Sequence, residues 1–198
     1  MKKHVGIILK KYSPQKQKLS IFDASLGRIE ALYNNDKIIQ TIHHGSVVQY
    51  HREQRHSNLY LITQCEQQTV PFELAHYDIN FLHHILELSY YFLPLNSPYP
   101  ETFELLKIAL NNAILNKAIL LMRFFSSLGI YSEDLPLEKN YFHRLLSDHF
   151  ETILKEKFNE TQLKQIDLWL MRCKELHPYS KNFKTNYLLT RCNNEKKY

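Results

Sequence analysis

Cations interleaved with tyrosines are the residues of this chain whose types and spacing point most directly to a task, and that task is holding a nucleic-acid strand. Lys10, Lys11, Lys16 and Lys18 surround a proline-containing turn, with Tyr12 among them. Arg28, Tyr33 and Lys37 follow, and Arg52 and Arg55 flank a later turn with Tyr50, His56 and Tyr60 close by. Such cations neutralise phosphates and release counterions, while flat rings stack on bases at about 1–3 kcal/mol each. The same residue types on hairpins also pack sheets and protect strand edges.

Bond-making chemistry has less support. Eleven histidines invite a metal, but none of the near pairs (His43 with His44, His83 with His84, His51 with His56, His143 with His149) has the four-residue spacing of a helical zinc pair. Adjacent histidines on a helix point about 100° apart. Cys65, Cys173 and Cys192 are too few and too scattered for a zinc ribbon or a disulfide framework, which fits a reducing cytosol. Gly-x-Ser-x-Gly, the Walker loop and Gly-x-Gly-x-x-Gly are all absent, and nothing in the spacing pairs Asp23 or Glu30 with another carboxylate. The expectation is a binding protein, not an enzyme, with no metal and no cofactor. A second polar residue stands out in an apolar setting: Arg123 inside Ala118–Leu128 must either pair internally or line a groove for an acidic, hydrophobic peptide.

The charge balance agrees with the placement of the cations. The formal net charge is +5, and residues 1–70 hold ten Lys and Arg against five Asp and Glu, while residues 71–198 balance to zero. The middle, 71–176, is acidic by four, and the tail offsets it with Lys181, Lys184, Arg191, Lys196 and Lys197 against Glu195. An asymmetry of this kind suggests that one part meets a polyanion. The apolar run Val5–Leu9 is cut short by Lys10 and Lys11, so it does not read as a secretory leader, and no stretch is long enough to span a bilayer.

Two kinds of element must position these residues. Up to residue 70 the apolar pattern has period two and frequent turns. It predicts strands over Val5–Lys11, Lys18–Asp23, Arg28–Tyr33, Val47–Arg52 and Leu59–Glu66, with a possible further strand at Ile38–Ile42 and a tight turn at Ala24–Gly27. Five or six short strands in about 65 residues fit an OB-like barrel. After Pro71 the spacing turns helical. Ile79, Leu82, His83, Leu86 and Tyr90 form one stripe with Asp78 as a cap, and further helices are predicted over Glu101–Asn112 and Lys117–Leu128 (or one broken helix), over Glu138–Phe158 with Tyr141, Leu145, Leu146, His149 and Ile153 on one face, and over Thr161–Leu176 with Leu163, Ile166, Leu170 and Cys173 aligned. Gly129 is placed to close the Lys117–Leu128 helix, and Thr161 or Asn159 to cap the last. The expected chain is α+β: an OB-like domain over 1–70, then a helical bundle over 71–198 with a basic tail.

The order of several short words resembles one family. Gly6-Ile7-Ile8-Leu9-Lys10, then Leu19-Ser20-Ile21-Phe22 with Leu26-Gly27-Arg28, resemble the opening strands of RecO, the bacterial recombination mediator of DNA repair. Gly45-Ser46-Val47-Val48 and Leu59-Tyr60-Leu61-Ile62 resemble its later strands, and Ala75-His76-Tyr77-Asp78 leading to Tyr90-Tyr91 its first helix. Leu121-Met122-Arg123-Phe124-Phe125-Ser126-Ser127-Leu128-Gly129-Ile130 and the segment from Lys181 to Leu188 resemble its later helix and closing basic segment. The resemblance covers nearly the whole chain. It implies a cytoplasmic protein that binds and anneals single- and double-stranded DNA and helps load recombinase onto protein-coated strands. It also implies RecR and the acidic C-terminal tail of single-stranded DNA-binding protein as partners. DNA contact then falls to Lys10, Lys11, Lys16, Lys18, Arg28, Lys37, Arg52 and Arg55, and tail binding to Arg123. Two departures matter. The family's basic loop is reduced here to Asn34-Asn35-Asp36-Lys37, and its four-cysteine zinc site is missing after Gly129. The alternative is a protein-interaction adaptor with a degenerate OB fold and little DNA binding.

Overall fold

A computed structural model describes residues 3–12, 17–33, 42–56, 59–131, 134–147, 156–178 and 180–192, without the side chains of 56, 191 and 192. The predicted turn over 13–16, the loop over 34–36, residues 38–41 of the candidate strand and residues 148–155 of the predicted helix over 138–158 lie outside the described residues, while 156–158, the predicted end of that helix, are not helical.

Five strands close into a barrel: β1 (His4–Lys11), β2 (Lys18–Asp23), β3 (Gly27–Tyr33), β4 (Val47–His56) and β5 (Leu59–Thr69). Their order is β1-β2-β3-β5-β4, with β4 returning to β1. Neighbours run antiparallel except β3 and β5, which are parallel. Alternation is clean on β3, where Ile29, Ala31 and Tyr33 are buried between half-buried Arg28, Glu30 and Leu32. On β1, Ile7, Ile8 and Leu9 are all buried, and a register shift against β2 between Ile8 and Lys10 changes the phase there. The barrel interior packs Ile8, Leu19, Ile21, Ile29, Tyr50 and Ile62 with their neighbours.

A buried carboxylate ties several of these strands together. Asp23 ends β2 and is 1 % exposed. Its Oδ1 accepts from the Ser25 and Leu26 amides and the Ser25 hydroxyl, which folds the turn into β3. Its Oδ2 accepts from the Tyr50 hydroxyl and from Arg52 Nη1 at 3.1 Å, both on β4. Strand β1 lies between β2 and β4, and the link passes over Gly6, which pairs with both Asp23 and Val48. A Cβ on Gly6 would sit 2.5 Å from Ile21 Cγ2 and 3.1 Å from Tyr50 Cε1. The turn also needs its glycine. Gly27 has φ +80°, and a Cβ there would collide with the Ser97 carbonyl at 1.7 Å.

Helix α1 (Phe72–Phe92) begins seven residues earlier than the stripe predicts and breaks at Asp78, whose φ and ψ are non-helical. Asp78 Oδ1 accepts from the Phe81 amide at 2.9 Å and so caps the segment after the break. Leu82 and Leu86 of the predicted stripe are buried, whereas Ile79 and His83 are exposed, because the helix is covered on most sides by Phe81, Leu82, His84, Ile85, Leu86 and Leu88. Helix α2 (Pro100–Leu110) puts Phe103 edge-on to Phe22 of the barrel, ring centres 5.3 Å apart. The change from strand to helix falls where the periodicity changes, but the compact unit that contains the barrel runs on to Ala113.

The second unit, residues 114–198, is helical. Helix α3 (Lys117–Ser127) is capped by Asn116 and ends at Gly129, φ +69°. The Gly129 and Ile130 amides donate to the Ser126 and Phe125 carbonyls, a Schellman closure. In α4 (Lys139–Ser147) Phe142 and Leu145 are buried. Of the residues predicted to face inward there, Tyr141 and Leu146 are only half-buried. Helix α5 (Glu160–Glu175) starts with a capping box between Asn159 and Gln162 and buries Leu163, Ile166, Leu170 and Cys173 as its spacing predicts. Trp169 packs edge-on to Phe125 and Phe142. Asp167, also on α5, accepts from the Leu189 and Thr190 amides and the Thr190 hydroxyl, which holds the short α6 (Leu189–Cys192). No helix among the described residues is long and apolar enough to cross a membrane.

Removing the Asp23 carboxylate leaves Tyr50 and Arg52 without their shared acceptor. Asp23→Ala should lower unfolding stability by about 3–5 kcal/mol, read by urea denaturation, with Tyr50→Phe costing less because no charge is stranded.

Candidate nucleic-acid interface

The outward positions of the first hairpin converge on two tyrosines. Lys10 and Tyr12 are two residues apart at the end of β1, so they share a face. Lys10 Nζ lies 4.9 Å from the Tyr12 ring centre and 4.3 Å from that of Tyr90, near the C-terminus of α1. Lys18 Nζ lies 4.9 Å from the Tyr12 ring. The Arg28 guanidinium sits 5.0 Å from the Tyr90 ring and donates to the Tyr90 carbonyl. The two tyrosine hydroxyls bond each other at 2.9 Å. Three cations and two rings thus form one cluster on β1, β2, β3 and α1. Ring–cation contacts of this kind contribute about 0.5–1 kcal/mol each where solvent reaches them.

One carboxylate belongs to the same cluster. Glu30 Oε2 pairs with Lys18 Nζ at 3.0 Å. Lys18 faces Leu32 and Ser20 faces Glu30 across β2 and β3, so the ion pair is diagonal in the sheet. Burial, the hydrogen bond to Tyr90 and the nearby Glu30 charge push the Tyr12 phenol far above its ordinary value, so it stays protonated. Tyr91 is also raised, by burial first and then by Glu87 and Tyr90.

The remaining sequence-predicted cations are elsewhere. Lys11, next to Lys10 on the strand, points the other way and donates from Nζ to the Ile42 carbonyl at 2.7 Å. Partial burial lowers its pKa. Arg52 is largely covered, paired with Asp23 and stacked 5.2 Å from the Tyr60 ring. Arg55 is exposed and pairs with Glu53 at 3.2 Å. Lys16 and Lys37 lie outside the described residues. Arg123, in the second unit, donates from Nε to the Leu145 carbonyl at 2.8 Å, which joins α3 to α4.

Tyr90 and Glu30 complete the cluster but were not predicted as members of it. Tyr90 is visible in the sequence only as one of a tyrosine pair at the end of a helix, and nothing local announces that α1 returns to β1 and β3. Among the described residues no group of three His, Cys, Asp or Glu is placed to hold a metal ion. A shallow cleft of about 100 Å³ lies in the second unit between Asp134, Leu135, Pro136, Leu168, Trp169 and Arg172, and its lining includes no predicted site residue. Neither a protein-family model nor a curated protein sequence matches the chain.

The cluster divides the predicted cations by what their loss should do. Arg28→Ala removes the donor to the Tyr90 carbonyl and should destabilise the fold by about 1.5–3 kcal/mol, the range for a bond to a charged group. Lys10→Ala should cost less, at most about 1–2 kcal/mol, since it loses only two ring contacts. Chemical denaturation of the two variants checks the difference.

Proposed function

We propose that this chain is a DNA-binding recombination mediator of the kind the RecO resemblance implies. In this reading the barrel is an OB fold. Its closed β1-β2-β3-β5-β4 order, with a single parallel pair between β3 and β5, supports that assignment. The protein holds single- and double-stranded DNA, anneals complementary strands and helps recombinase load on protein-coated strands in the cytoplasm. RecR and the acidic C-terminal tail of single-stranded DNA-binding protein are its partners, and the Arg123 region is where that tail would dock. It makes and breaks no covalent bond.

One observation carries the reading: Lys10 stands over Tyr12 and Tyr90, with Lys18 and Arg28 on the same two rings. Phosphates would approach the ammonium groups while a base stacks on ring surface, the combination that single-strand binders use. Tyr12, held protonated, adds no negative charge.

A second reading has its own support. Lys11, Lys18, Arg28, Arg52 and Arg55 each hold a partner within the chain. A barrel whose cations are engaged in this way fits a protein-interaction adaptor with little DNA affinity.

Titration of fluorescent single-stranded DNA over a range of salt separates the two. If Lys10, Lys18 and Arg28 meet phosphates, log affinity should fall with log salt at a slope of about −2, at roughly 0.7 per phosphate for single strands. Lys10→Ala should make that slope shallower by about 0.7. Tyr12→Leu should weaken binding by about 1–3 kcal/mol. Arg55→Ala should leave affinity nearly unchanged. Absence of binding at low salt, with nuclease-insensitive capture of RecR, would establish the adaptor.

A further inference from the structure

Four positively charged or chargeable groups gather where β1 ends, on the side that Lys11 faces. The segment 42–46 is fastened there to β1 by a short series of bonds. The Gly45 amide donates to the Ile8 carbonyl at 2.8 Å, and the Ile8 amide to the Ser46 carbonyl at 3.0 Å. Lys11 Nζ donates to the Ile42 carbonyl at 2.7 Å. The last fastening is of a different kind: the Lys11 amide donates to His44 Nε2 at 3.0 Å. An imidazole nitrogen accepts a hydrogen bond only while it carries no proton, so this bond requires His44 neutral with its proton on Nδ1. His44 is exposed enough to exchange that proton with solvent.

We propose that His44 is a proton-operated latch on the end of β1: neutral, it holds segment 42–46 against the barrel through the Lys11 amide, and protonated, it lets that segment go. The surroundings add to the loss of this fastening once the proton arrives. The charged or titratable groups that act on His44 are Lys11 of β1, His83 of α1 and its chain neighbour His43, and all three oppose a second positive charge. The next carboxylate along α1 from His83 is Glu87, which acts on Tyr91. Burial first, and then these three groups, hold His44 below its ordinary value. The unfolded chain therefore takes up this proton before the folded one does. The latch is whole above about pH 6.5, the ordinary histidine value, and weakens as pH falls through the lower folded value. Ile42, carried by the same segment, is a buried member of the barrel core, so release loosens the core at its edge.

Hydrogen exchange, expressed as protection factors so that the intrinsic pH dependence cancels, tests this on the full chain. The Lys11 amide and segment 42–46 should lose about tenfold or more in protection between about pH 7.5 and pH 5. His44→Gln keeps an acceptor that does not titrate and leaves His43 and His83 in place. It should hold protection within about twofold over the same range. Unchanged protection in the parent protein, or an equal loss in His44→Gln, overturns the latch. Nitrogen NMR of the parent protein gives an independent reading that does not depend on a variant folding. At neutral pH the proton of His44 should be on Nδ1, and a proton on Nε2 overturns the proposal.

Discussion

The Asp23 carboxylate is the constraint around which the barrel end is built. A buried carboxylate without partners would be too costly to keep, so its five donors are conditions of the fold. Three come from the turn it begins, and they set β3 antiparallel to β2. The other two come from β4, one strand beyond β1. The phenol of Tyr50 is raised well above its ordinary value by burial, then by the charge and hydrogen bond of Asp23, so it remains a donor at any physiological pH. Gly6 is the residue that lets this happen. A side chain at that position would occupy the space through which the Tyr50 ring approaches β2.

This arrangement decides how the chain's positive charge is used. Arg52 reads in sequence as a cation beside a turn, available to a phosphate. In the structure its guanidinium compensates Asp23, and removing it would strand a buried charge. Arg28 serves in a comparable way by holding the end of α1 to β3 through the Tyr90 carbonyl. Lys18 balances Glu30. Lys10 is different, for among the described residues its contacts are only with rings. The basic character of the first third is therefore divided between cations that hold the barrel and its first helix together and a smaller set with charge left for a ligand. The pinned members still matter to that set. Arg28 fixes Tyr90, and Tyr90 with Tyr12 fixes where Lys10 stands.

How far the sequence revealed this follows from the range of the interactions. Period-two alternation and the glycine turn were enough to place β2 to the residue and β1 and β3 to within one, because they depend on residues within one hairpin, whereas β4 and β5 run four and three residues past their predicted ends. The α5 cap and its buried stripe were legible for the same reason, each residue within four positions of the next. The stripe on α1 misled at Ile79 and His83 because a helix covered on most sides loses the one-sided pattern on which such a reading rests. The contacts of Arg28 with Tyr90 and of Asp23 with Tyr50 and Arg52 span 62, 27 and 29 positions. They are set by closure of the barrel and by the return of α1, which spacing within an element does not encode.

Neighbouring residues on β1 show how one strand can serve two purposes. Lys10 and Lys11 look like a single basic pair, yet a strand turns successive side chains to opposite faces. Lys10 goes to the tyrosines, where its ammonium stays in reach of an outside anion. Lys11 goes to the Ile42 carbonyl, and its amide goes to His44. The first face has an excess of positive charge even after Glu30 is counted. The second is held together by a histidine kept neutral among like charges. A ligand anion on the first face and a proton on the second would both act on the end of β1, but in different ways. The anion would lower the repulsion between cations that are already ordered, whereas the proton removes an acceptor on which the order depends.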